Sequence, residues 1–259
     1  MTNPNCTSQG NEAFVHPTKA RTRTWIATSL VGVAVIATAV VLGPWLYAHL
    51  ELAPLRYEVI GVDVSHHQGR IDWKALADDG IAFAYIKATE GESFRDANFA
   101  ANWADAAHAG LLRGAYHFFT LCRTGADQAR NFIAQVPRDP NSLPPAVDAE
   151  RMDPCPKGAP VGNVVQELET FLAQLSAHYG RRALIYTTAE FHNAYLQGQL
   201  LHEQFWIRSL VIPPLFRYQQ WVLWQYHDRG QRRGVQGPVD LTAFRGSKSD
   251  FEAFAQAKP

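Results

Sequence analysis

Short apolar runs rich in β-branched and aromatic residues alternate with longer amphipathic stretches from residue 59 onward. Eight of these runs predict β-strands, at residues 59–64, 83–87, 113–119, 146–149, 183–187, 205–207, 222–226 and 239–241. Between the early strands, apolar residues recur at helical spacing and predict helices at 73–79, 98–109, 126–136 and 164–179. A strand followed by a helix, repeated along the chain, is typical of a parallel sheet.

Helical patterns become shorter after residue 183. Residues 192–201 are the last good helix candidate, and Pro213 and Pro214 interrupt the segment after it. The whole pattern predicts an α/β fold, an irregular TIM-like (β/α) barrel with eight strands and fewer than eight helices over residues 58–259. In such barrels reactive groups gather at the C-terminal ends of the strands, so polar residues there are the first candidates for function.

The N-terminal part of the chain has a different pattern. A polar lead with Lys19, Arg21 and Arg23 near its end precedes an uncharged run at residues 25–48, which is long enough to span a bilayer as a helix. A cleaved signal peptide is the competing interpretation, but the run exceeds an ordinary signal core and no convincing A-x-A site comes after it. We therefore expect a short cytoplasmic tail at 1–24, a transmembrane anchor or uncleaved signal at 25–48 and a linker at 49–57, with the barrel exported.

Charge and cysteine usage narrow the class of protein. The chain has 259 residues, 47% of them hydrophobic, and its 24 basic and 24 acidic residues balance to a formal net charge of zero. This length can bury one sizeable core, and the neutral balance gives no indication of a nucleic-acid partner.

Cys122 and Cys155 each follow a predicted strand by a few residues on the oxidising side of the membrane. We expect a disulfide between them if those strands are neighbours, and two unpaired thiols otherwise.

Two carboxylic acids close the fourth predicted strand, where Asp148-Ala149-Glu150 follows the apolar run 143–147. Side chains two apart on a strand point the same way, so the two acids are expected side by side. Repulsion and lost hydration then push one acid toward its protonated form while the other stays charged. A protonated acid beside a charged carboxylate is the arrangement that acid-assisted glycosidases use. A turn that merely carries a D-x-E triplet is the alternative, since short acidic motifs are common.

Further polar and aromatic residues end the other strands. Acids recur at Asp63, Glu90 and Asp240, and the remaining candidates for sugar contacts are Lys87, Tyr116, Tyr186, Trp206, Trp224 and Tyr226. Sugars present apolar C–H faces ringed by hydroxyls, so a polysaccharide groove needs aromatic platforms together with groups that hydrogen-bond. Ordinary core packing is the alternative for the aromatic residues. Trp224 and Tyr226 are two apart and share one side of a strand, which is compatible with one buried ring and one ring in the groove.

His66 and His67 raise the question of a metal site. Adjacent residues at a strand end point to opposite sides, and no further His or Cys stands nearby at zinc-site spacing. We expect no metal and no cofactor, because an acid, a charge-stabilising group and water suffice for glycoside hydrolysis.

Several segments together resemble glycoside hydrolase family 25, the lysozymes of the Chalaropsis type. The matching residues run in order through Asp63, Gln68-Gly69, Gly80, YIKATEG at 85–91, FRD at 94–96, GAYHF at 114–118, DAE at 148–150, WQY at 224–226 and Asp240. They cover essentially all of residues 58–245, and a match in many parts is far more specific than one triplet. The resemblance implies an irregular barrel with fewer than eight helices and cleavage of the β-1,4 bond between N-acetylmuramic acid and N-acetylglucosamine in peptidoglycan.

Residue roles come from the resemblance, position by position. It implies that Glu150 is the general acid and that Asp148 stabilises the charge developing at the sugar or orients its 2-acetamido group. Asp63 and Asp240 match the family's remaining active-site acids. Glu90 is the rival for a catalytic role, but Glu150 has the like-charged neighbour that would raise its pKa, so Glu90 is expected to bind sugar or to pair with a nearby lysine. The nucleophile, an enzyme carboxylate or the acetamido oxygen, stays open.

Two other functions fit parts of the sequence. A chitinase-like barrel carries a D-x-x-D-x-D-x-E series. Aligned on Asp148 and Glu150, that series requires an acid at residue 146, where this chain has Ala146. A membrane-tethered, non-catalytic peptidoglycan-binding module would keep the groove without turnover, and the presence of all the acids argues against it.

Arg208-Ser209 departs from the small and aromatic residues that the family more often carries there. We expect a single-pass bacterial inner-membrane protein that acts on peptidoglycan glycan strands through a periplasmic or extracellular barrel; the sequence identifies no protein partner.

Overall fold

The computed structural model describes residues 32–33, 35–40, 42–43, 51, 53–151, 155, 162–210 and 212–256. The chain divides into two compact units, Met1–Tyr47 and Ala48–Pro259. The described residues of the first unit are helical. The predicted tail at 1–24 and most of the predicted anchor at 25–48 lie outside the described residues. Within the described part of the chain, no helix combines the length and apolarity that a membrane span requires.

Among the described residues, nine strands of the second unit build one sheet. They are β1 (Ile60–Val64), β2 (Phe83–Glu90), β3 (Phe94–Arg95), β4 (Leu112–Phe118), β5 (Ala146–Ala149), β6 (Leu184–Thr188), β7 (Phe205–Arg208), β8 (Trp221–Gly230) and β9 (Val239–Phe244). Eight of them take the order β1-β9-β8-β7-β6-β5-β4-β2, which closes into a barrel because β1 also pairs with β2. The two-residue β3 forms a hairpin with the end of β2. The predicted eight-stranded α/β barrel is confirmed.

One strand departs from the predicted parallel order. β9 runs antiparallel to β8 and to β1, whereas the other pairs around the barrel are parallel. A parallel connection needs a crossover of about a dozen residues or more, and the loop at 231–238 between β8 and β9 is shorter than that. Gly234 and Gly237 turn the chain there with positive φ angles of 91° and 88°. The start of β9 therefore lies at the barrel end where the parallel strands finish.

The helices begin and end where local hydrogen bonds and backbone angles allow. The α-helices described in the second unit are α1 (Trp73–Asp78), α2 (Phe99–His108), α3 (Gly125–Gln135), α4 (Val164–Tyr179), α5 (Ala189–Phe191) and α6 (Lys248–Gln256). α4, for example, begins after Asn163, whose side chain accepts a hydrogen bond from the Gln166 backbone N–H at 3.1 Å. It ends at Gly180, which takes the left-handed φ of 61°.

The predicted helix at 192–201 is wrong. The three-residue α5 continues there into a π-helical turn, His192–Leu196, and Gln197 is already extended. The guanidinium of Arg217 donates to the backbone oxygens of Leu196 and Gln199. A distant side chain thus satisfies carbonyl groups that a longer helix would have satisfied by itself.

The C-terminal helix α6 was not predicted, although Phe251, Phe254 and Ala255 have helical spacing. The ring of Phe251 lies 5.1 Å from the ring of Phe83 and 5.1 Å from that of Phe244. Phe83 begins β2 and Phe244 ends the antiparallel β9, so both mark the barrel end opposite the strand C-termini. α6 covers that end and leaves the other end for a functional site.

Large rings fill the barrel interior. Phe83, Tyr85 and Trp206 are almost fully buried inside the sheet. Gly61 and Gly114 make room for them, because a Cβ atom would lie 2.4 Å from the Phe83 ring at the first position and 2.3 Å from the Tyr85 ring at the second. The interior is therefore a packed core rather than a channel.

The segment before β1 packs on the outside of the barrel. Ala53 and Tyr57 are buried, and the Tyr57 ring lies 5.7 Å from the ring of Trp224. Glu51 accepts a hydrogen bond at 2.6 Å from Nη1 of Arg232, in the loop between β8 and β9. Residues 51 and 53–57, which the sequence assigns to a linker, are thus in contact with the barrel.

Candidate active site

A cleft of about 440 Å³ lies at the barrel end where the parallel strands finish. The predicted site residues that line it are Asp63, Asp148, Glu150, Asp240, Lys87, Tyr116, Tyr186 and Trp206. Asp240 is the exception to the expected geometry, because it stands near the start of β9 and not at a C-terminal strand end. It reaches the same cleft since β9 runs antiparallel, directly opposite Asp63 of β1.

Asp63 and Asp240 form a hydrogen-bonded pair of acids in the cleft. Burial, followed by the charge of Asp240, raises the pKa of Asp63 well above its usual value. Burial, with the charge of Asp228, raises the pKa of Asp240 to about 7. The two acids thus share a hydrogen bond, while the hydrogen bond from Gln225 lowers the pKa of Asp63 and opposes part of its rise. The pair therefore carries at most one negative charge in weakly acidic solution.

Gln225 fixes this pair from the neighbouring strand. Its Nε2 donates to both carboxyl oxygens of Asp63, at 3.1 and 3.0 Å. Its Oε1 accepts a hydrogen bond from the hydroxyl of Tyr186 at 3.0 Å. The chain of contacts orients Asp63 and Tyr186 without leaving the amide unpaired.

Asp148 and Glu150 extend from the end of β5 into the cleft. Burial, followed by the charge of Glu150, raises the pKa of Asp148 well above its usual value. Its Oδ1 is buried, and none of the described residues provides a hydrogen-bond partner for it. Glu150 is half-buried; burial raises its pKa, while the charges of Arg208 and Lys87 oppose the rise. Two acids whose pKa values are both raised can hold a proton for donation beside a second carboxyl group.

Lys87 and Glu90 form an ion pair at one side of the cleft. Lys87 Nζ lies 2.6 Å from Glu90 Oε2, with the lysine side chain 10% exposed and the glutamate side chain 39% exposed. The ammonium group also lies 5.5 and 5.0 Å from the ring centroids of Phe94 and Phe118. Lys87 lines the cleft, whereas Glu90 stands beyond the residues that line it.

The aromatic residues of the cleft differ in exposure. Tyr186 and Trp206 are buried at its floor, with ring centroids 5.0 Å apart, and Trp206 Nε1 donates to Thr242 Oγ1 at 3.1 Å. Tyr116 and Phe118 are half-buried and line the same cleft. The more accessible of these four rings are therefore those of Tyr116 and Phe118 on β4.

The family model described as glycosyl hydrolases family 25 matches residues 62–235. This chain belongs to glycosyl hydrolase family 25. Lysozyme M1 of Streptomyces globisporus is 36% identical over 214 residues, which are 76% of this chain and 71% of that relative. The solved structure of a family 25 glycosyl hydrolase from Bacillus anthracis gives a TM-score of 0.71 at 36% identity and covers 77% of this chain and 94% of its own. A bacterial lysozyme from Streptomyces coelicolor gives 0.69 at 35% identity, over 78% of this chain and 98% of its own.

Membership of family 25 makes the protein a glycoside hydrolase and confirms the resemblance on which the sequence interpretation depends. The acids of the cleft come from β1, the end of β5, β8 and β9, so four separate parts of the chain contribute to the family 25 site. The Chalaropsis N,O-diacetylmuramidase, at 28% identity, covers 70% of this chain and 96% of its own length.

Trp224 and Tyr226 lie outside the cleft of this family 25 barrel, contrary to the prediction. They share one side of β8, as expected, but it is the outer side. Trp224 Nε1 donates to the backbone oxygen of Ser209 at 2.6 Å, and the Tyr226 hydroxyl donates to Glu51 at 3.2 Å. Both sides of a barrel strand are buried, so the apolar pattern could not tell which side faces inward. Gln225, between them, is the residue that enters the cleft.

Arg208 and Asp228 complete the cleft and were not predicted as site residues. Arg208 is the last residue of β7, and its Nη2 donates to Asp228 Oδ2 at 2.9 Å. Both residues line the cleft. Arg208 stood out in the sequence as a departure from the family. Its partner could not be found from spacing along the chain, because the two residues meet through strand pairing.

The two adjacent histidines do not point to opposite sides, as the sequence interpretation supposed. They lie in a 3₁₀ turn, His66–Gln68, and their ring centroids are 4.0 Å apart. His66 Nδ1 lies 2.8 Å from Asp96 Oδ2, while His67 lines the cleft. The turn replaces strand geometry because Ser65 and Gln68 form a capping box at its start.

A disulfide joins Cys122 and Cys155, as predicted, with an S–S length of 2.04 Å and a Cα separation of 5.5 Å. Cys122 follows β4 and Cys155 follows β5, and these two strands are neighbours in the barrel. The bond therefore links the segment after β4 to Cys155, five residues beyond Glu150 in the chain.

Proposed function

We propose that the protein hydrolyses the β-1,4 bond between N-acetylmuramic acid and N-acetylglucosamine in peptidoglycan, with Glu150 as the general acid. The observation that carries the proposal is the convergence of Asp148 and Glu150 at one strand end, in a cleft where burial raises the pKa of both. Similarity to proteins named as lysozymes supports the choice of peptidoglycan as substrate.

Glu150 suits the role of proton donor because of where it stands. It is half-buried, so its carboxyl group is accessible from the cleft while burial keeps its pKa raised. The charges of Arg208 and Lys87 limit the rise in the pKa of Glu150. The carboxyl group therefore stays acidic enough to transfer its proton to the glycosidic oxygen. Protonation of the leaving oxygen is the step that a raised-pKa carboxylic acid performs in glycosidases.

Asp148 lies next to the proposed acid and deeper in the site. Its buried Oδ1 would accept a hydrogen bond from the N–H of the 2-acetamido group, or its charge would stabilise the positive charge that develops at the sugar. Asp63 and Asp240 are proposed to bind sugar hydroxyls. Lys87, Glu90, Tyr116, Tyr186 and Trp206 are proposed to form or support the sugar-binding walls. Trp224 and Tyr226 drop out of this set.

The bond that is cleaved can be identified chemically. Purified peptidoglycan is digested with the full-length chain in detergent, the new reducing ends are reduced with borohydride, and the sugars are separated after acid hydrolysis. A muramidase produces muramitol. Glucosaminitol would instead identify a glucosaminidase and overturn the proposed bond, and an unchanged glycan would favour the non-catalytic binding module.

We also propose that residues 25–48 anchor the protein in the bacterial inner membrane, with the barrel in the periplasm or outside the cell. The support is the uncharged run, the basic residues before it and Glu51 after it. Carbonate extraction of membranes should leave the protein in the pellet, and protease added outside the inner membrane should reach the barrel. Release by carbonate, or protection of the barrel from that protease, would contradict the anchor.

A further inference from the structure

The cleft holds more acidic side chains than cationic ones, although the proposed substrate itself carries carboxylates. Five carboxylic acids line it, Asp63, Asp148, Glu150, Asp228 and Asp240, against the two cations Lys87 and Arg208. Muramic acid carries a lactyl carboxyl group, which is either free or linked to a stem peptide that has carboxylates of its own. Like charges repel in a partly dry site, so a substrate of this kind needs a cation in the cleft that is free to meet its carboxylate.

Lys87 is poorly placed for that contact. Its ammonium group already lies 2.6 Å from Glu90, and its side chain is only 10% exposed. The rings of Phe94 and Phe118 flank it at 5.5 and 5.0 Å. The ammonium group of Lys87 is therefore less accessible to a substrate carboxylate than the side chain of Arg208, which is 36% exposed.

Arg208 is placed differently. Its side chain is 36% exposed in the cleft, and Nη2 is held at 2.9 Å by Asp228 of the neighbouring strand β8. A guanidinium has five N–H groups in a planar fork, so one hydrogen bond to Asp228 orients the fork and leaves other N–H groups to donate. The charge of Arg208 also reaches Glu150 and Asp240, which places it close to the proposed acid.

We propose that Arg208, oriented by Asp228, binds a carboxylate carried on the muramic acid residue of the substrate, and that it thereby selects charged peptidoglycan strands over neutral N-acetylglucosamine polymers. This inference rests on the proposed function. A planar fork recognises a carboxylate through two parallel hydrogen bonds, which a lysine at this position would not reproduce. The lactyl group and the stem peptide offer the same chemistry, and the substrates of the test separate them.

The test compares three substrates for the full-length chain in detergent. They are intact glycan strands with stem peptides, strands freed of peptide by an amidase and therefore carrying free lactyl carboxylates, and the same peptide-free strands with those carboxylates converted to neutral N-methylamides. kcat and KM are measured for the wild type, Arg208→Gln, Arg208→Lys and Asp228→Asn, each at its own pH optimum. Arg130→Gln, which removes an exposed arginine from α3, is the matched control.

Arg208→Gln should raise KM about tenfold to 100-fold on a carboxylate-bearing substrate, the range for a charge-assisted hydrogen bond, and change it little on the neutral strands. With Arg208→Lys the rise in KM should be only partly reversed relative to Arg208→Gln. Asp228→Asn should raise KM by a smaller factor than Arg208→Gln does. If Arg208→Gln raises KM on the peptide-free strands, the contact is assigned to the lactyl carboxylate. If it raises KM only on the intact strands, the contact is assigned to the stem peptide.

The role of Arg208 would be overturned if Arg208→Gln raised KM equally on charged and neutral strands, or if it left KM unchanged on both charged substrates. Those outcomes require a wild type that cleaves the strands, so they leave the proposed function standing. A wild type that cleaves none of the three substrates would instead overturn the proposed function. Melting temperatures of the variants check that each loss belongs to a folded protein.

Discussion

Replacing Asp240 by asparagine tests the electrostatics of the acid cluster through stability. Burial and the charge of Asp228 raise the pKa of Asp240 from 3.8 to about 7. An acid whose pKa is higher in the folded chain binds its proton more tightly there. The stability that this contributes is fully present below the unfolded pKa and is lost as the pH rises through the folded pKa. A shift of about three units, at about 1.4 kcal/mol each, sets a ceiling of about 4 kcal/mol.

Asparagine at this position cannot ionise, and it also removes the charge that is the second cause of the raised pKa of Asp63. Between about pH 4.5 and 7.5 the wild type should therefore lose about 2 to 4 kcal/mol of unfolding free energy more than Asp240→Asn does. The measurement is urea unfolding of the full-length chain in detergent, monitored by tryptophan fluorescence at several pH values. Asp105→Asn, an exposed acid on α2, is the control. Parallel pH curves for wild type and Asp240→Asn would refute the reasoning.

Three further variants test the catalytic role of Asp148 and two contacts that hold the barrel together. Asp148→Asn should lower kcat on peptidoglycan by at least about 100-fold; a loss below about tenfold would restrict Asp148 to positioning. Replacing Cys122 and Cys155 by serine opens a bridge between residues 33 apart and should cost about 3 to 4 kcal/mol in unfolding free energy; an unchanged denaturation midpoint would contradict this. Gly125→Ala would bring a Cβ to 1.8 Å from the Glu167 backbone oxygen and should cost about 3 kcal/mol, and an unchanged melting temperature would count against that close approach.

Local patterns were sufficient for most of the barrel. The alternation of short β-rich runs with helical spacing predicted every strand that closes it, because each parallel pair needs a crossover connection and helices form the early crossovers. The side-chain period of two placed Asp148 and Glu150 together at the end of β5. The disulfide was predictable from the positions of Cys122 and Cys155 after neighbouring strands.

The remaining features depend on contacts between distant parts of the chain. The direction of β9 is set by a short loop after β8, and the period of two is the same for parallel and antiparallel strands. Both sides of β8 are buried, so periodicity alone could not show that Gln225, and not Trp224 or Tyr226, faces the cleft. The pairing of Arg208 with Asp228 arises only when β7 and β8 lie side by side.

The central claim is that Glu150 supplies the proton for glycan cleavage, and one experiment addresses it most directly. Purified peptidoglycan is incubated with the wild type or with Glu150→Gln, soluble products are quantified by mass spectrometry, and bound protein is measured by sedimentation with the insoluble wall. The account predicts new reducing ends at muramic acid with the wild type, at least about a 1,000-fold lower rate with Glu150→Gln, and undiminished sedimentation of that variant. Cleavage by Glu150→Gln at the wild-type rate would contradict the account.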